Sequence, residues 1–108
     1  MQPTNEQVVA ACQRAEIDVF SVGSLLFIGE YEISANLDYC PGSALFIVAV
    51  LGAMKERLHH VGHFDDYWYV TWVQRPIDSV TQEAKGATLT AACMTAIVAA
   101  YPEEARKG

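Results

Sequence analysis

Several things are missing from this chain of 108 residues, and each absence closes off a class of function. No GxxxxGK[ST], GxGxxG, GxSxG or HExxH pattern occurs, and the glycines stand singly, so nucleotide cradles, nucleophile elbows and helical zinc-protease sites are not expected. Basic residues are few, seven against thirteen acidic ones, which leaves a net charge of −6. A nucleic-acid binder normally carries a basic stripe, whereas these seven read as scattered; a basic partner is expected instead of nucleic acid. Cys12, Cys40 and Cys93 are odd in number, far apart and without a CxxC pair, the pattern of reduced thiols rather than a disulfide framework. The longest apolar stretch, Ala44 to Ala53, is well short of the roughly 20 residues that cross a bilayer. Met1 to Gln7 is polar and lacks the pattern of an export signal. The expectation is a cytoplasmic protein with no membrane association and no cofactor.

What is present points to a folded α+β chain. Apolar residues make up 52% of it, above the usual globular share, and its length suits one domain, 1–108, with one core. Thr4 and Gln7 are spaced as a capping box, and Val8, Cys12 and Ala15 recur at helical spacing, so a helix is expected over about 4–16. Residues 17–33 turn β-branched and aromatic around Gly23 and Gly29, which suits one or two short strands. Asn36 to Gly42 reads as a loop, with Ser43 as a cap for a helix over about 43–58. That helix places Leu45, Val48, Leu51 and Met54 on one side, and its apolar excess makes it the expected core helix. A hairpin follows over about 59–74, turned at Asp65-Asp66, with so much aromatic surface on both sides of its second arm that cover on both faces is expected. Asp78 to Gly86 reads as a loop, a third helix as spanning about 87–100 until Pro102, and Glu103 to Gly108 as a frayed tail. The architecture expected is a small antiparallel sheet with three helices packed on it.

Three groups of residues invite a functional reading. His59, His60, His63 and Asp65 offer ligands that suit zinc or ferrous iron, and a metal-binding module or metal-dependent hydrolase would be centred there. On a strand, however, His59 and His63 lie roughly 13 Å apart while His60 points away, so hairpin-end histidines in water are the plainer reading. Cys40, before Pro41-Gly42 at a helix start, would be a nucleophile if the dipole lowered its pKa and a histidine stood by; the plainer reading is structural. Glu30, Glu32 and Asp38 interleave with Tyr31 and Tyr39, which is either a solvated edge or a contact surface with tyrosine anchors. With Asp65 and Asp66 these residues form the expected partner-binding set.

From Asp38 onward the layout resembles the small bacteriophage proteins grouped as the phage α-β-α sandwich domain. The resemblance rests on Asp38-Tyr39-Cys40 before a helix, Tyr67-Trp68-Tyr69 in the hairpin, and Ala91-Ala92-Cys93-Met94-Thr95-Ala96 in the last helix. It covers about residues 38–100, and it implies a fold and a phage or prophage origin without a known activity. The combined expectation is a non-enzymatic accessory factor that binds and inhibits a host protein with a basic surface, as anti-CRISPR proteins do. Self-association through the second or third helix is a further expectation, since more than one face of each looks apolar.

Overall fold

The computed structural model describes residues 2–103; of the expected tail, residues 104–108 lie outside them. Along the chain run α1 (Asn5–Arg14), β1 (Val19–Val22), β2 (Leu25–Ile28), β3 (Tyr31–Ile33), α2 (Pro41–Ala53), β4 (Leu58–Phe64), β5 (Tyr67–Val73), β6 (Thr81–Gly86) and α3 (Leu89–Ala100). The α+β class is as expected, but the strands form two antiparallel sheets of three, β1-β2-β3 and β4-β5-β6, rather than one. Among the described residues no helix is long and apolar enough to cross a membrane.

The capping box forms as its spacing predicts: Thr4 Oγ1 accepts from the Gln7 amide while the Gln7 side chain accepts from the Thr4 amide. The other end of α1 is a Schellman turn, in which Ile17 N donates to Cys12 O and Glu16 N to Gln13 O. Glu16 takes the left-handed conformation there, at φ 63°. The chain is thereby turned into β1, where one or two strands were expected and three form. Gly23 and Gly29, at φ 61° and 60°, each open a two-residue turn, between Val22 and Leu25 and between Ile28 and Tyr31. Two glycine turns make a three-stranded meander from residues 19–33.

The second helix starts and stops earlier than the expected 43–58. Cys40 occupies the cap position without accepting from a first-turn amide, and Pro41 sits in the first turn. Ser43 is not the cap: its hydroxyl accepts from Ser34 N and donates to Ser34 O, tying α2 to the end of β3. The side facing inward carries Gly42, Ser43, Phe46, Val50 and Met54, so the expected stripe is split, with Met54 buried and Leu45 and Val48 pointing to solvent.

The core helix is α3, not α2. Ala91, Ala92, Cys93, Met94, Ala96, Ile97 and Ala100 are all buried, because α3 is packed by β5 and β6 on one side and by α1 and α2 on the other. Small side chains suit that position, since each neighbour can approach closely. Sheet β1-β2-β3 packs in turn on α1 and α2, so the helices lie between two sheets, each with one face turned away from them. Residues expected as a loop, 81–86, form the edge strand β6, whose single buried residue is Ala84. Trp72, Val70 and Ala84 meet α3 on the inner face of this sheet; the cover expected on both faces of β5 is present on one.

Candidate functional site

The histidines do not converge. A bulge between Leu58 and His60 takes His59 out of register, after which His60 pairs with Thr71 and His63 with Trp68, residues on opposite faces of the sheet. His60 packs against Tyr69 at 5.5 Å between ring centres, and His63 against Trp68 at 4.6 Å. Asp65 stands in the turn beyond them at φ 54°. Among the described residues no three His, Cys, Asp or Glu side chains are placed to hold one ion.

The expected partner-binding residues also divide. Asp38 is withdrawn from the surface set: its carboxylate accepts from Leu89 N at 3.0 Å, Thr90 N at 2.8 Å and Thr90 Oγ1 at 2.7 Å, capping α3 from fifty residues away in sequence. Partial burial pushes its pKa up, but the Thr90 hydroxyl and the Thr90 and Leu89 amides outweigh that and hold it below the usual value. Asp65 and Asp66 lie at the tip of the β4-β5 hairpin, in the other sheet from Glu30 and Glu32. Tyr31 lies with the inner face of its sheet and, with Leu37, Cys40 and Pro41, lines a groove of about 380 Å³ beside the start of α2. Tyr39 is 88% exposed in the loop that leads to this groove.

Glu32 and Glu30 edge a surface that was not anticipated. Strand alternation and register put Phe20, Val22, Leu25 and Phe27 together on the outer face of sheet β1-β2-β3, with Glu32 directly beside Phe27. Phe20 stacks on Phe27 at 5.5 Å, while Phe20, Val22 and Leu25 remain 41%, 59% and 43% exposed. An antiparallel sheet normally turns polar residues outward; this one turns out four apolar side chains. The basic residues, expected to be scattered, are segregated instead: positions 15–54 contain no lysine, arginine or histidine but five acids, Glu16, Asp18, Glu30, Glu32 and Asp38.

A cleft of about 1110 Å³ at the C-terminal ends of the helices gathers Arg14, Lys55 and Arg57. Both arginines there donate to helix-end carbonyls, Arg14 Nε to Tyr101 O at 2.8 Å and Arg57 Nη1 to Ala100 O at 3.4 Å, which accounts for their position structurally.

Cys40 lies 3.2 Å from Ser43 Oγ, and its contacts with the Ser43 hydroxyl and amide lower the thiol pKa. Among the described residues no histidine is hydrogen-bonded to it, so the nucleophile reading lacks its base. Burial pushes Cys12 and Cys93 up to about 12, the latter with help from the Asp38 charge. A disulfide reagent at neutral pH is therefore expected to titrate Cys40 alone in the native chain and all three thiols in denaturant. Rapid native labelling of two or more would show that the core around α1 and α3 is not closed.

Fold and surface together define a small α+β protein with an uncovered apolar sheet face in a cation-free segment. Compared with family models, curated proteins and solved structures, the chain matches none of them.

Proposed function

We propose that this protein is a non-enzymatic interaction factor that docks a basic partner on the outer face of sheet β1-β2-β3. One observation carries the reading: Phe20, Val22, Leu25 and Phe27 form an exposed apolar patch edged by Glu30 and Glu32, within a stretch that has no positive side chain. Apolar contacts at the centre of such a patch supply affinity, and the acids at its rim speed encounter with a cationic surface and reject anionic ones. Tyr31 and Tyr39 flank the groove beside α2 and serve as further anchors.

The sequence motifs at Asp38–Cys40, Tyr67–Tyr69 and Ala91–Ala96 are the support for a phage or prophage accessory role in the host cytoplasm; the layering, with helices between two sheets, differs from an α-β-α order and adds nothing to it. On that reading the partner is a host defence protein whose nucleic-acid groove is basic, and occupation of the groove inhibits it in the manner of an anti-CRISPR protein. Direct binding of nucleic acid is not part of the proposal, since the same acids would repel phosphates.

The test compares capture of host proteins by the wild type, by Glu30→Lys/Glu32→Lys and by Phe20→Ser/Val22→Ser. A specific partner is expected with the wild type, weakened by added salt and lost with both double variants. A partner retained by both variants, at any ionic strength, would refute this surface.

A further inference from the structure

We infer that the outer face of the second sheet is a self-association surface on which two copies of this chain pair about a two-fold axis. Register rows place His60 with Thr71 and Glu83, Gly62 with Tyr69 and Lys85, and Phe64 with Tyr67 on that face. Its aromatic side chains form one connected group: Tyr67 meets Tyr69 edge-on at 6.3 Å and Phe64 at 5.9 Å, His60 lies against Tyr69, and Lys85 Nζ stands 4.9 Å over the Tyr67 ring. Tyr69 crosses the strand at Gly62, where an added Cβ would lie 2.5 Å from its hydroxyl oxygen, so the ring lies flat over β4. Phe64 is 60% exposed, and no element of the described chain covers the group.

Charge identifies the occupant as a second copy. A two-fold interface brings each residue opposite a residue of the same patch, so a self-pairing face must hold its own complement. This face does, with Lys85 and Glu83 side by side on β6, 3.8 Å apart and about half exposed. An exposed pair of that kind contributes little within one chain, so exchanging partners across a seam costs little. The first sheet offers no such complement, because Glu32 and the turn residue Glu30 have no cation among residues 15–54 to answer them. Strands of this length span about 20 Å, and three strands about 10 Å between outer axes. Two such faces form a small seam, below the size of permanent oligomer interfaces, which fits a dimer that forms only as the concentration is raised. Of the helices expected to self-associate, α3 shows no large exposed apolar side chain, and α2 keeps only Leu45 and Val48 as such, with no charges to set a register.

Sedimentation velocity on the full chain, across micromolar concentrations, tests this independently of any partner. The wild type is expected to shift from monomer to dimer over that range. Lys85→Glu, which replaces the lysine of the face with a second acid beside Glu83, is expected to raise the dissociation constant at least tenfold, and Glu83→Lys/Lys85→Glu to restore it. Far-UV circular dichroism establishes that each variant is folded. A wild type that stays monomeric throughout would overturn the inference. So would a dimer that ignores Lys85→Glu but dissociates with Val48→Glu, which would place the seam on α2. A folded charge-swap variant that fails to recover would equally overturn it.

Discussion

Gly42→Ala is expected to destabilise the protein by about 3 kcal/mol, among the heavier losses that one added methyl group produces by overpacking. Helix α2 approaches β3 so closely at this point that a Cβ on residue 42 would lie 1.9 Å from Glu32 O and 2.5 Å from Glu32 C. These are backbone atoms, so no side-chain rotation relieves the clash. The helix would have to move outward, and Ser43 would then lose its two hydrogen bonds to the backbone of Ser34, 3.0 and 2.7 Å long. Gly52, ten residues further along the same helix, is the internal control, because a Cβ there meets nothing within 4 Å. Alanine at 52 is expected to stabilise by roughly 0.5–1 kcal/mol through its helix propensity, so one substitution at two sites takes opposite signs. Thermal melts should show Gly42→Ala lowered by roughly 12 °C or more and Gly52→Ala slightly raised. Equal melting temperatures would mean that α2 and β3 are not packed as described. Because β3 carries Glu32, the same contact sets the rim of the proposed docking face.

Which parts of this architecture were visible beforehand follows from the range of the interactions that make them. Local signals served well: Thr4 and Gln7 mark the start of α1, Pro102 the end of α3, and the aromatic run from Tyr67 the strand β5. Strand β6 escaped because Thr81–Gly86 is polar with a lysine and a glycine; only Ala84 is buried, and pairing with β5 rather than composition makes it a strand. The outer patch was legible in principle. Two-residue turns at Gly23 and Gly29 fix the alternation on either side, which puts Phe20, Val22, Leu25 and Phe27 on one face. Reading the segment as one or two loosely alternating strands hid it. Apolar content points to α2 as the core helix, yet the alanine-rich α3 is the more deeply buried while α2 leaves Leu45 and Val48 in solvent. Asp38 was assigned to the surface by its acidic neighbours, and nothing near it in sequence announces the amides of Leu89 and Thr90 that it meets.

Removing that carboxylate is expected to have the second large effect, and its size should depend on pH. The first amides of a helix have no partners within it, and in α3 Asp38 satisfies those of Leu89 and Thr90 while Thr88 Oγ1 accepts from Ala91 N. Asp38→Ala leaves two partly buried amides to find new partners, while the Thr90 hydroxyl keeps only Leu37 O at 3.1 Å, and it removes a negative charge from a helix N-terminus. A loss of about 3 kcal/mol at neutral pH is the expected outcome, since bonds to a charged acceptor are worth more than neutral ones. Asp38→Asn keeps an acceptor but not the charge, and should lose roughly half as much. The folded pKa of Asp38 is depressed, so the stabilisation is fully present above the unfolded value of about 3.9 and disappears as the pH falls through the lower folded one. Urea melts of wild type and Asp38→Ala should therefore differ most near neutrality and converge in acid, once the wild-type carboxylate is protonated. A difference that held constant down to about pH 2 would show that the side chain acts by shape and not by charge. Convergence would locate the anchor of the most enclosed helix in a single ionised group on the loop that precedes α2.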